Sequence, residues 1–403
     1  MIDLEVPKKF VPLVGQANMV AREVLRPISR KYDANEHEYP KELDMLASLI
    51  DGLEDGGGSS GAGAAGVSQA EKNGDGGNRN GSNMASVLSI IEMCWGDVGL
   101  LLTMPRQGLG NSAIAAVADS EQKERFAGKW AAMAITEPEA GSDSAAIRTT
   151  AVLDGDEYVL NGEKIYVTSG ERADLVVVWA SLDPKQGRAA IKSFVVERSN
   201  PGLRLDRLEH KLGIRASDTA AFILDDCRVP KQDLLGSPDI DMKKSFGGAM
   251  KTFDNTRPLV AAMALGLSRA CLEHTSERLA EAGVEIDYDR PPSSQHAAAA
   301  ELLELEAELE AARLLTMEAA WMADNSKPNS LHASYAKAKA GRTCVDIALR
   351  CIALCGSLGL GEDELLEKWA RDAKILDIFE GTQQIQLLII ARQLLGLTSA
   401  QLK

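Results

Sequence analysis

The stretch Thr149-Thr-Ala-Val-Leu-Asp154-Gly155-Asp-Glu-Tyr-Val-Leu-Asn161-Gly162-Glu-Lys-Ile-Tyr-Val-Thr168 decides how this chain is organised. Two dipeptides, Asp154-Gly155 and Asn161-Gly162, sit among β-branched and aromatic residues, and both accept the positive φ angles of hairpin turns. An antiparallel meander is predicted. Further strands are predicted over 174–180, 191–197, 203–208 and 219–229, so residues 130–240 read as an all-β unit.

Outward from that unit the pattern is helical. Val14, Ala17, Val20, Ala21, Val24 and Leu25 keep a period near 3.6 residues, which predicts helix over 8–50, with Pro40 opening a second helix. Helix resumes at 84–93 and near Gly110, and Asp119 caps a short helix ending at Phe126. Between them, 52–83 is rich in Gly, Ser and Asn, either a mobile loop over a site or a plain surface insertion. On the C-terminal side, long amphipathic helices fit 246–282, 295–324 and 330–356, with a last one after Gly381. Pro291-Pro292 and Lys327-Pro328 mark breaks. The predicted architecture is α+β and multi-domain: an N-terminal helical domain (1–128), a middle antiparallel, barrel-like β domain (129–240) and a C-terminal four-helix bundle (241–403).

A chain of 403 residues with 45% hydrophobic residues can build more than one core. The net charge of −15 argues against nucleic acid as a partner. Any anionic ligand needs a local patch of donors. Six cysteines at long intervals read as reduced, buried thiols. Cys351 and Cys355 are four apart, but His332 is too far along the chain to complete a zinc pattern, so no metal is expected. The start of the chain has no signal-peptide pattern, and no apolar run is long enough to span a membrane. A soluble, cytoplasmic protein is expected.

Two segments carry candidate chemistry. In Arg371–Gln386, Glu380 lies between Phe379 and Gly381, with Thr382 placed to cap the helix that follows. A carboxylate on a turn beside an aromatic ring suits a general base, because apolar neighbours raise its proton affinity. Alone, it is as well read as a solvated or capping Glu. In Met133-Ala-Ile135-Thr136-Glu137-Pro138-Glu-Ala-Gly141-Ser142-Asp143 a strand runs into a Gly-containing loop offering backbone N–H groups and hydroxyls. Alone, it is a turn.

Together these segments resemble the acyl-CoA dehydrogenase family over essentially the full length. The second is similar to its Thr-Glu-Pro-x-Ala-Gly-Ser-Asp signature, and the first to its aromatic-Glu-Gly-Thr motif. Ile165-Tyr166-Val167-Thr168-Ser169-Gly170 and Lys211-Leu-Gly213-Ile-Arg215-Ala-Ser217-Asp218-Thr219 resemble two further blocks, and Phe253-Asp254-Asn-Thr256-Arg257-Pro258, which opens a long helix, resembles a third. The resemblance implies FAD as cofactor, held by Met133, Ile135, Thr136, Gly141, Ser142, Tyr166, Thr168, Thr382 and Gln384. It implies an acyl-CoA substrate met by Ser142, Phe253, Asp254, Arg257 and Gly381. Tyr166 stands where the family commonly has Trp. Arg215 is as readily a loop-fixing residue as a ligand. Some branches carry the base at the place of Thr256, so Glu380 is the matching base here.

The implied reaction is α,β-dehydrogenation to the trans-2-enoyl-CoA, as in fatty acid β-oxidation. Glu380 takes the α-proton while hydride passes to flavin N5, and the electrons leave to an electron-transfer flavoprotein. A flavoprotein tetramer, a dimer of dimers, is implied. Three departures stand out: the polar segment 52–83 replaces a Gly loop, and the motifs that reach a neighbouring subunit's FAD are altered over 284–292 and 353–360. These departures suggest a hetero-oligomer with a related subunit. An acyl-CoA oxidase, or a mainly structural subunit, are the other readings.

Overall fold

The computed structural model describes residues 5–47, 79–105, 108–240, 247–398 and 401, and for 247–255 the backbone alone. Helix α1 (Val11–Val20) continues through a π turn at Ala21–Leu25 into α2 (Arg26–Ala34). The apolar period foresaw this run, and Ala17, Ala21 and Leu25 are its buried residues. The helix stops sooner than its pattern suggested. Asn35 leaves helical geometry (φ −104°, ψ 67°) and His37 takes a left-handed φ of 72°. Helix returns at 42–47, and residues 52–78 of the Gly-rich segment lie outside the described residues.

Helix α3 (Ser82–Gly96) is buried on nearly all sides. Its N-terminus is capped from afar: the Asp324 carboxylate accepts from the N–H groups of Gly81 (2.6 Å), Asn83 (3.1 Å) and Met84 (3.1 Å). Short helices α4 (Val98–Leu102), α5 (Leu109–Val117) and α6 (Ser120–Arg125) lead to the sheet, the last capped by Asp119 as expected, in a capping box with Gln122.

The strands are β1 (Ala131–Ala134), β2 (Thr150–Asp154), β3 (Glu157–Thr168), β4 (Leu175–Ser181), β5 (Ile191–Glu197), β6 (Leu203–Leu208) and β7 (Thr219–Pro230). They form one sheet in the order β1-β4-β2-β3-β7-β6, with β5 also on β4. Two expectations need correction. The pairings β2–β3, β3–β7, β6–β7 and β4–β5 are antiparallel, but β1 runs parallel to β4, and so does β2 at Thr150–Ser181. And only Asp154-Gly155 makes a hairpin. Asn161-Gly162 lies inside the long β3, where the register against β7 slips between Leu160 and Gly162. Gly162 has φ 154°, and a Cβ there would meet Thr149 Oγ1 at 2.4 Å, so the glycine serves a bulge and a close approach rather than a turn.

Helix α7 (Gly247–Glu281) matches its predicted span, with the Phe253–Pro258 block inside it and Pro258 in its interior at the loss of one backbone hydrogen bond. Helices α8 (Ala297–Asp324) and α9 (Ser330–Cys355) match their predicted spans, α10 (Ser357–Leu360) and α11 (Leu366–Leu376) were not foreseen, and α12 (Gln383–Leu395) follows Gly381 as expected. One apolar core joins the two helical regions, from Ala17, Leu25 and Ile90 to Leu267, Cys344 and Trp369. The sheet has a core on each face: Ala132, Ala134, Val176 and Val178 on one, Ala131, Met133, Leu175 and Val177 on the other. All six cysteines are free. No described helix is long and apolar enough to cross a membrane.

Candidate active site

Glu380 sits on the short turn between α11 and α12. It has a φ of 58°, unusual for a residue with a side chain, and Gly381 follows at 93°. The turn is held from both sides. Buried Lys337, on α9, donates to the Gly381 carbonyl (2.7 Å), and Gln386 Nε2 donates to the carbonyls of Glu380 (3.0 Å) and Gly381 (3.1 Å). Thr382 caps α12, its hydroxyl accepting from Ile385 N–H at 3.4 Å.

The Glu380 carboxylate accepts a hydrogen bond from the Thr256 hydroxyl of α7. Burial pushes its pKa above the ordinary glutamate value; the Thr256 hydrogen bond and the nearby charges of Arg257 and Lys337 pull the other way without overcoming it. Both cations are near the carboxylate, but desolvation wins. Lys337 itself is pushed down to about 8 by burial, opposed by Asp377 and Glu380.

Glu380 opens onto a pocket lined by Leu101, Leu102, Leu109, Leu259, Val260 and Met263, with Phe379 beside it. Its described polar groups are Glu380, Thr256, Thr168 and Ser169. The last two come from the end of β3. Ser169 takes a φ of 58°, donates its N–H to Asp218 O (3.0 Å) and its hydroxyl to Leu102 O (3.3 Å). That last bond ties the sheet to the helical wall. The wall lies close to β1 because Gly108 and Gly110 have no side chain: a Cβ at either would stand 2.1–2.2 Å from the carbonyls of Ala131 or Ala132.

Of the residues expected at the flavin, Thr168 reaches this pocket. Tyr166, at φ 57°, stands on β3 with 61% of its surface exposed, a free ring face. Met133 and Ile135 turn their side chains into a core of the sheet, so only their backbone is on offer, on a strand at the sheet's edge. Thr136 O accepts from Ile165 N–H (2.9 Å), which holds the strand end against β3. Gly141 and Ser142 are exposed, with open space where a Gly141 Cβ would point. These features suit a flat ring system laid along β1 and β3. Thr382 and Gln384 do not line the pocket; the first is committed to capping and the second is exposed. The side chains of Phe253 and Asp254 lie outside the described residues. Arg257 is buried one residue from the pocket-lining Thr256, and Arg215 fixes its own loop by donating to Lys211 O (3.0 Å).

Sequence reasoning missed Lys337, Gln386 and the role of Thr256 as donor. The one sequence signal was Lys337 among the alanines Ala333, Ala336, Ala338 and Ala340 of a helix. In the altered region 284–292, Arg290 is exposed and paired with Asp287 (3.2 Å).

Comparison with known proteins agrees with this geometry. The profile described as "Acyl-CoA dehydrogenase, middle domain" matches residues 132–227, and that described as "Acyl-CoA dehydrogenase, C-terminal domain" matches 246–395. An acyl-CoA dehydrogenase of Bacillus subtilis is 35% identical over 305 residues, 74% of this chain and 78% of that protein. The acryloyl-CoA reductase (NADH) of Anaerotignum propionicum is 30% identical over 408 residues, 98% of this chain and 96% of its own. The butyryl-CoA dehydrogenase structure from Megasphaera elsdenii superposes with a TM-score of 0.82 at 28% identity, covering 98% of this chain and all of that one.

Proposed function

The chain belongs to the acyl-CoA dehydrogenase family of FAD-dependent oxidoreductases, and on that premise we propose that it converts an aliphatic acyl-CoA to the trans-2-enoyl-CoA with Glu380 as base. The observation that carries this reading is that Glu380 and Thr168 line one apolar pocket. Glu380 accepts the α-proton. Its raised proton affinity brings base and carbon acid closer in strength, and Thr256 fixes the carboxylate's orientation. FAD, when bound, supplies the hydride acceptor. Tyr166, Thr168, the backbone of Met133, Ile135 and Thr136, and the Gly141-Ser142 loop would hold it. The Glu380 backbone N–H serves the thioester carbonyl, where enolate charge develops. Among the described residues the leucine and methionine lining offers nothing to a second carboxylate, which supports an uncharged hydrocarbon acyl group.

The test is Glu380→Gln. The variant should keep its bound FAD and flavin spectrum, while the rate of flavin bleaching by acyl-CoA falls by about 10²–10⁴-fold. Wild-type bleaching in the variant would remove Glu380 from the role.

The altered subunit-facing motifs favour a second feature, an assembly in which a related subunit completes the FAD site. Arg290 is occupied by Asp287, and Leu349, Leu358, Leu360, Leu394 and Leu395 expose apolar surface on the C-terminal helices. Transfer of the electrons to an electron-transfer flavoprotein goes with the same reading. An FAD-to-chain ratio near one in the protein purified alone would rule out the shared site; FAD uptake only with a related subunit would support it.

A further inference from the structure

Away from the pocket, the loop after α2 meets the loop after β6. Glu36 and His37 come from the first and His210 from the second. One ligand atom from each lies within 4.8 Å of the other two, and no other such group of three occurs among the described residues. The geometry points to a binding site for a divalent transition metal of the zinc class at Glu36, His37 and His210, joining the N-terminal helical region to the sheet.

Three observations carry this. First, both ring nitrogens of His37 are shielded from solvent and have no hydrogen-bond partner. A polar ring held dry without a partner is uncommon in a native fold, and a metal would complete one nitrogen. Second, the ring is held there at a cost. His37 has a φ of 72°, and Arg172 Nη2 donates to the carbonyls of His37 (3.4 Å) and Glu38 (3.3 Å), pinning the loop. The His37 and His210 rings lie 5.0 Å apart between centroids. Third, the carboxylate is oriented. Glu36 Oε1 accepts from Lys211 N–H (2.8 Å), which leaves Oε2 on His210 Nδ1 at 2.9 Å. A ligand held by an outer hydrogen bond is how metal sites fix their geometry.

Two imidazoles and one carboxylate suit zinc, cobalt or nickel over magnesium or calcium, with water completing the shell. Metal–nitrogen bonds of about 2.1 Å place ligand atoms roughly 3.4 Å apart, so the cluster must close by up to about 1.4 Å. His210 can supply that movement, since its side chain is 84% exposed. Of the neighbouring cations, Lys211 Nζ donates to Ser217 O (2.7 Å), and Arg172, besides pinning the His37 loop, faces Asp218 (3.5 Å).

The test titrates the FAD-loaded protein, stripped with chelator, with Zn²⁺ in a calorimeter, and with Co²⁺ to read its visible absorption. We expect one ion per chain. The Co²⁺ spectrum should lack thiolate bands, since every cysteine but the half-buried Cys355 is buried. His37→Ala, His210→Ala and Glu36→Gln should each weaken binding by more than about tenfold, while His332→Ala leaves it unchanged. Zn²⁺ should raise the melting temperature of the parent but not of His210→Ala. The exposed His210 makes its variant safe from misfolding. No binding to the parent, or parent-like binding by His210→Ala, overturns the site.

Discussion

Glu380 is set between opposed influences, and the balance can be moved. Burial raises its proton affinity, and the Thr256 hydroxyl, which donates to the ionised form, lowers it. A base must be deprotonated to act, so turnover should fall as pH drops through the raised Glu380 pKa. Thr256→Val removes the donor and raises that pKa further. The acid limb of the kcat profile should therefore move to higher pH, with the alkaline plateau within a few-fold of the parent. An unmoved limb would show that the hydroxyl does not govern the base. At this scale Glu380, Gly381 and the Thr382 cap were legible, because each announces itself through its immediate neighbours. Thr256 and Lys337 were not: they meet the turn from 124 and 44 residues away, and no local pattern records such a meeting.

At the scale of elements, β3 is the instructive case. Its alternation and flanking glycines gave the strand, but Asn161-Gly162 reads identically as a hairpin and as a bulge, and the choice lies with the partner strands. The element also carries a buried pair. Lys164, fully buried, reaches Glu137 at 2.7 Å, and the same carboxylate accepts from the N–H groups of Arg148 (2.6 Å) and Thr149 (3.0 Å). The network fastens the loop that leads from β1 to Gly141-Ser142. Lys164→Met leaves a buried carboxylate without its cation and should cost about 3–5 kcal/mol, read as a lower denaturant midpoint. The FAD content should fall with it if, as proposed, Gly141 and Ser142 on the fastened loop hold the cofactor. Parent-like stability would mean that the backbone donors suffice for Glu137.

At the scale of the molecule, the two helical regions are one body. Lys368, buried on α11, pairs with Asp372 (2.7 Å) and with Asp97. Asp97 also takes the Ser29 hydroxyl and the Leu100 N–H (2.8 Å), while Asp372 accepts from Ile214 N–H (2.5 Å). One cluster thus joins α2, the α3–α4 junction, the loop before β7 and α11. The last of these leads into the turn that holds Glu380. Lys368→Met should destabilise by about 3–5 kcal/mol. Because the core is shared, melting should stay one cooperative step followed by both helical regions; a separate early transition of the N-terminal helices would contradict a single body.

The sequence by itself determined the α-β-α order, most strand and helix spans, and the carboxylate on its turn. Periodicity, turn dipeptides and caps act over a few residues, and a single chain displays them in full. The tertiary structure decided the parallel pairing of β1 with β4, the Thr256 and Lys337 contacts with the Glu380 turn, and the meeting of His37 with His210. Each depends on which distant segments share a desolvated space, a balance of burial and hydrogen bonding that exists only once the chain has closed on itself.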